Sequence, residues 1–188
     1  MPSLLITTSR RTSNRVRTFV RDLQSVIPDS IRFNRGGMSL AELASRIGQS
    51  GTSGAMVIST YKGNPGTIQV LDSQGVAQYE LIVESALLRR ETHTKSRIRI
   101  KELSAIFVSE GVGENTIALV EYLASLINTQ VMIGSDESVL RTPESEIAMM
   151  HFYEADRKIH WTTFHTHDLT EIGPRIRIAQ IRKVPHDI

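Results

Sequence analysis

Four groups of residues have types and spacings that chemistry uses. His165-Thr166-His167-Asp168, with His151 and His160 upstream, could ligate a metal, because histidines two apart share a strand face. Their order departs from the His-x-His-x-Asp-His of metallo-hydrolases, no third ligand is assured, and His-Asp at a strand end reads as turn chemistry. Gly48-Gln49-Ser50-Gly51-Thr52-Ser53-Gly54 could lie against a phosphate, but it lacks the Lys-Ser/Thr of a P-loop and follows a helix instead of a strand. Gly111-Val112-Gly113 sits between strand and helix as in a dinucleotide fold. There Thr116 takes the third glycine's place, and Glu110 and Glu114 would repel a pyrophosphate. No Gly-x-Ser-x-Gly elbow occurs, and the absence of cysteine excludes disulfides, thiol catalysis and Cys-based zinc sites. These residues make no positive case for an enzyme, a cofactor or a metal.

The fourth group is cationic. Arg10, Arg11 and Arg15 crowd the start of a helix whose buried stripe is Val16, Phe19, Val20, Leu23 and Ile27, with Thr12 or Ser13 as cap. The helix start already carries the positive pole of the macrodipole, so each cation there costs roughly 0.3–1 kcal/mol. Backbone N–H groups, hydroxyls and guanidiniums converging on one point suit a phosphate or another anion.

Positioning these residues requires a folded scaffold, and 188 residues with 40% hydrophobic and 22% charged content can build one. A net charge of +2 conceals 17 Arg against 5 Lys and an uneven distribution. Residues 10–35 hold seven Arg against Asp22 and Asp29; Arg89, Arg90, Lys95, Arg97, Arg99 and Lys101 form a second basic run, and Arg175, Arg177, Arg182 and Lys183 a third. Residues 102–156 carry ten acids and one basic residue, Arg141. Two basic ends flank an acidic middle, and basic runs meeting on one face would form a footprint for a polyanion. No apolar run reaches spanning length and no signal-peptide pattern opens the chain, so the expectation is a cytoplasmic protein without membrane contact.

The expected elements alternate. Strands are expected at 4–8, 31–34, 55–61, 67–71, 79–84, 97–100 and 105–109, and helices from Ser13, from Ser39 to Gly48 and over 116–128. Ser39 and Glu42 form a capping box. A hairpin over 146–153 and 158–165 precedes a last strand after Gly173-Pro174. Phe19, Val20 and Leu23 echo Leu119, Val120 and Leu123 at a separation of 100 residues, and Arg97-Ile98-Arg99-Ile100 echoes Arg175-Ile176-Arg177-Ile178. The expectation is an α/β fold, with α+β as the alternative: one domain over 1–188, built from two similar halves at about 1–95 and 96–188 with mixed sheets.

RNP-type aromatics and a Gly-x-x-Gly KH loop are missing and aromatics are 5% of residues, so RNA would be recognised by phosphate and shape. Four landmarks in order then resemble the Brix domain: Thr7-Thr8-Ser9-Arg10 with Ser13, Phe33-Asn34-Arg35-Gly36, Lys62-Gly63-Asn64-Pro65-Gly66 and Gly173-Pro174-Arg175. The resemblance is greatest to stand-alone archaeal members, which are similar to eukaryotic proteins of early small-subunit ribosome assembly. Thr12 stands where the family often has proline, and Ile176 where an aromatic is frequent. The resemblance implies a non-catalytic ribosome-biogenesis factor that binds ribosomal RNA among pre-ribosomal particle proteins. It also implies two halves that each resemble the anticodon-binding domain of class II aminoacyl-tRNA synthetases. The implied RNA contacts are Arg10, Arg11, Arg35, Lys62 and Arg175, to which charge and facing add Arg15, Arg97, Arg99 and Arg177. A tRNA-binding accessory module, a hydrolase using His165 and His167 and a pure protein scaffold are the alternatives.

Overall fold

The computed structural model describes residues 3–92 and 97–186, which leaves Lys95 and the expected boundary between halves outside the described residues. The strands are β1 (Leu4–Thr8), β2 (Ile31–Arg32), β3 (Gly54–Tyr61), β4 (Asn64–Asp72), β5 (Ala77–Leu87), β6 (Glu102–Ser109), β7 (Val131–Gly134), β8 (Ile147–Ala155), β9 (Lys158–His165) and β10 (Arg175–Lys183). The helices are α1 (Asn14–Val26), α2 (Leu40–Ser50) and α3 (Glu114–Ile127). All ten strands form one mixed sheet in the order β2-β1-β3-β4-β5-β10-β9-β8-β6-β7, and with few helices the fold is α+β. β1 pairs in parallel with β2 and β3, and β6 with β7 and β8. The meanders β3-β4-β5 and β8-β9-β10 are antiparallel and meet at the antiparallel pair β5-β10.

Side-chain alternation explains why helices cover one face. Leu4, Ile6, Met56, Ile58, Ile106, Val108, Met150 and Phe152 face α1 and α3 in a single core, which receives Phe19, Val20 and Leu23 from α1 and Leu119, Val120 and Leu123 from α3. On the other face α2 lays Leu43 and Ile47 on Leu5, Ala55, Val57 and Leu71, while Leu140 packs with Ala105, Phe107 and Met149. The sheet and α3 approach closely at Gly54. A Cβ there would stand 2.3 Å from Leu71 O and 3.1 Å from Leu126 Cδ2 of α3. Gly54→Ala is therefore expected to destabilise by about 1–3 kcal/mol, read as a lower urea midpoint with an unchanged slope.

Two local expectations are corrected. Gly48 does not end α2, which continues to Ser50; Gly51 ends it by taking the left-handed conformation, φ 70°. Residues 97–100 are not a strand. They cross the C-terminal end of α1, where Ile100 N donates to Ser25 O at 2.9 Å, and Lys101 N then reaches Glu146 O at 3.0 Å. Their backbone groups are thus used by a helix end and a crossing contact rather than a sheet ladder. The matching segment Arg175–Ile178 is strand, with Ile176 and Ile178 in the core.

Candidate nucleic-acid interface

The segments leaving the C-terminal ends of β1 and β2 and the turn after β3 carry Arg10, Arg11, Arg35 and Lys62. Backbone bonds fix them. Ser9 N donates to Ile58 O at 2.9 Å, and Thr7 Oγ1 donates to Phe33 O at 2.9 Å, tying the segment that leads to Arg35 against β1. Ser13 is the cap of α1, accepting from Val16 N at 3.1 Å, and its hydroxyl donates to Gly63 O at 2.7 Å. One side chain thereby joins the helix start to the β3–β4 turn, whose residues Lys62 and Gly63 adopt φ 46° and 79°.

Arg35 is the most informative cation. It is 7% exposed, and its Nε donates to Met38 O at 3.1 Å. Among the described residues no carboxylate pairs with Arg10, Arg11, Arg35 or Lys62. Burial lowers the Arg35 pKa, and repulsion from the nearby Arg10 lowers it further. A buried guanidinium beside a second cation and without a counter-charge opposes folding. An anion placed against both would relieve the repulsion and the desolvation together.

The start of α3 shows the contrast. Glu114 lies in its first turn, and Glu154 Oε1 accepts from Gly113 N at 2.9 Å. α1 has no acid in its first turn. Among the described residues, the first turn of α1 carries Arg15, whose guanidinium engages the one carboxylate that reaches it, Glu91, while Arg10 and Arg11 precede the cap without a carboxylate partner.

The other five expected contacts lie elsewhere or are engaged. Arg15 makes a bidentate pair with Glu91, with Nη2 at 2.8 Å from Oε2, and donates to Ala86 O at 2.9 Å. Arg175 donates to Glu171 at 2.8 and 2.9 Å. Arg177 Nε lies 2.8 Å from Glu84 Oε2, although no hydrogen-bond geometry is met there. Both β10 arginines point away from Ile176 and Ile178, hence to the sheet face opposite α1. Arg97 and Arg99 are exposed beside Ser25, roughly 16 Å along α1 from its start by helix rise. Arg10, Arg11, Arg35 and Lys62 thus stand near one end of the sheet with no carboxylate partner among the described residues, whereas Arg15, Arg175 and Arg177 are paired and Arg97 and Arg99 lie by the far end of α1.

The Arg15–Glu91 pair sets a pH dependence. The hydrogen bonds from Arg15 hold the Glu91 carboxyl at about 2, helped by Leu88 N and opposed by burial. Because the folded value lies below the ordinary 4.5, the contribution is complete above that pH and lost as pH falls toward 2. Chemical unfolding of wild type and Glu91→Gln should show a wild-type advantage at neutral pH that shrinks through this acid window.

His151, His160, His165 and His167 are spread over β8, β9 and the turn that follows β9. His165 ends β9 and is buried, whereas His167 is exposed in the following turn, 3.2 Å from Asp168 Oδ2. Asp168 Oδ1 accepts from Thr170 N at 3.0 Å, an Asx turn. His151 Nε2 lies 2.8 Å from Ser109 Oγ, and His160 stacks on Tyr153 with ring centroids 4.8 Å apart. Among the described residues no three His, Asp or Glu side chains are grouped for a metal, and no helix is long and apolar enough to cross a membrane.

Known proteins are similar to this chain in sequence and in fold. A probable Brix domain-containing ribosomal biogenesis protein of Aeropyrum pernix is 42% identical over 78 residues, 42% of this chain and 43% of that protein. The U3 small nucleolar ribonucleoprotein protein IMP4 of Yarrowia lipolytica is 36% identical over 69 residues, 37% of this chain and 24% of that protein. The alignments thus cover less than two thirds of these relatives' own lengths. The crystal structure of a probable ribosomal biogenesis protein from Aeropyrum pernix superposes with a TM-score of 0.68 at 25% identity, covering 98% of this chain and 97% of that one. No family model matches the chain.

Proposed function

With the chain a relative of the archaeal Brix domain-containing ribosomal biogenesis proteins, we propose that it is a non-catalytic ribosome-biogenesis factor gripping phosphates of folded ribosomal RNA during pre-rRNA processing and small-subunit assembly. The observation that carries this reading is Arg35, buried beside Arg10 with no carboxylate paired to either among the described residues. Phosphate supplies the missing charge, and Arg11 and Lys62 extend the contact along the backbone. Arg15, Arg175 and Arg177 contribute secondarily, since each would have to share its guanidinium with Glu91, Glu171 or Glu84. Arg97 and Arg99 touch a second stretch of the same RNA.

The chain works as one domain made of two related halves, a reading supported by the matching pairing of β2-β1-β3-β4-β5 and β7-β6-β8-β9-β10. The acidic half faces proteins of the pre-ribosomal particle. No bond is made or broken; the protein holds RNA in shape. The ribonucleoprotein name of the Yarrowia relative supports an RNA-bearing neighbourhood. A tRNA-binding accessory module is the competing reading, because the same cations would accept tRNA phosphates.

Affinity for a structured small-subunit pre-rRNA fragment and for bulk tRNA, measured across a salt series, tests the proposal. Tighter binding to the rRNA fragment with a steep salt slope is expected. Equal affinity for both would favour the accessory module, and binding to neither would overturn the RNA reading.

A further inference from the structure

At the edge of the same cationic group stands an aromatic side chain that phosphate contact does not explain. Tyr61, the last residue of β3, is 66% exposed, and among the described residues it is the one aromatic so exposed. Its position is built. Gly66 of the adjoining β4 has no side chain, and a Cβ there would come within 2.8 Å of Tyr61 Cβ and 3.2 Å of Tyr61 N. The adjoining Lys62–Gly63 turn is fixed to the start of α1 by the Ser13 hydroxyl. Lys62 Nζ lies 5.4 Å from the Tyr61 ring centroid. The ring thus stands in solvent on a hairpin tied to α1, with the Lys62 ammonium over one of its faces and no carboxylate paired to that cation among the described residues.

A ligand fitting this arrangement joins a flat apolar surface to a negative charge one short linkage away. A nucleotide has that construction: a base stacks on the ring and its phosphate meets the ammonium. In a paired duplex the base faces are occupied by their neighbours, so only an unpaired base can use the ring. We infer that Tyr61 is a stacking platform for an unpaired base of the bound RNA, and that the site selects helices interrupted by a bulge or loop. This rests on the RNA reading above and narrows its substrate class. It adds base contact to a surface whose remaining groups recognise phosphate alone.

The test compares wild type, Tyr61→Ala and Tyr61→Phe on two RNAs: a hairpin with one unpaired purine in its stem, and the same hairpin fully paired. Loss of a stacked base should weaken Tyr61→Ala binding to the bulged hairpin by roughly 5- to 150-fold, from the usual worth of base–aromatic stacking. Binding to the paired hairpin should stay within about twofold, and Tyr61→Phe should behave as wild type on both, because stacking does not need the hydroxyl. Equal loss on both RNAs, or no loss on either while wild type binds, would overturn the stacking role and leave the RNA reading standing. Failure of wild type to bind either hairpin would remove both.

Discussion

Protein carrying Arg10→Glu and Lys62→Glu together is expected to bind structured RNA on the order of a hundredfold more weakly than wild type. Each charge-assisted hydrogen bond to phosphate is worth about 1.5 kcal/mol, and the double variant removes one at each position. The log–log salt slope should flatten by about 0.7–0.9 for each phosphate released. Both side chains are exposed and neither is ion-paired among the described residues, so the melting temperature should hold. Arg177→Ala and Arg175→Ala supply the contrast. Those guanidiniums already face Glu84 and Glu171, and their removal should change RNA affinity far less. Arg35→Met separates binding from folding: it removes a buried charge lacking a carboxylate partner at the loss of one bond to Met38 O. Its stability should stay within about 1 kcal/mol of wild type while RNA affinity falls.

Arg89→Met is expected to give the largest loss of stability, about 3–5 kcal/mol, or on the order of 10 °C in Tm. Arg89 is 8% exposed and joins four parts of the chain. Its backbone N–H donates to Asp22 Oδ2 at 2.8 Å, Nη1 to Ser25 Oγ at 2.8 Å, Nη2 to Ile98 O at 3.2 Å and Nε to Ile172 O at 3.3 Å. Methionine fills much of the volume and leaves the hydroxyl and both carbonyls without these donors. Asp22→Asn keeps an acceptor for the Arg89 N–H and should be milder. Burial already raises the Asp22 pKa, more than the Arg89 N–H and charge lower it, so its ionised form gains little from the site. Thermal unfolding of the two variants beside wild type checks the order.

Periodicity made the helices readable because each buries a single stripe, while β1, β3 and β6 read as continuous apolar runs because they are buried on both faces. The stripe from Val16 to Ile27, the Ser39–Glu42 capping box and the hairpin before Gly173 stand in the structure where spacing puts them. Residues 97–100 misled because alternating Arg and Ile satisfies strand periodicity, and nothing local reveals that Ser25 O captures Ile100 N. Gly48 misled for a related reason: a glycine is tolerated within a helix, and only the conformation of Gly51 marks the end.

Charge was legible as composition but not as pairing. Arg15 and Arg35 read alike in sequence, and their difference comes from Glu91, 76 residues away, which reaches one of them. Arg89 reads as part of a basic run until Asp22, Ser25 and Ile172 fold around it. Tyr61 could have been noticed as an aromatic directly before a Lys-Gly turn, a place where a core residue has nowhere to go.

Photo-crosslinking of the wild-type protein to a structured pre-rRNA fragment, with crosslinked peptides identified by mass spectrometry, is the most direct test of where RNA sits. Crosslinks are expected in the peptides holding Arg10 and Arg11, Phe33 to Arg35, and Tyr61 with Lys62. Crosslinks confined to the 97–101 segment or to β10, with none at the ends of β1 and β3, would contradict the account.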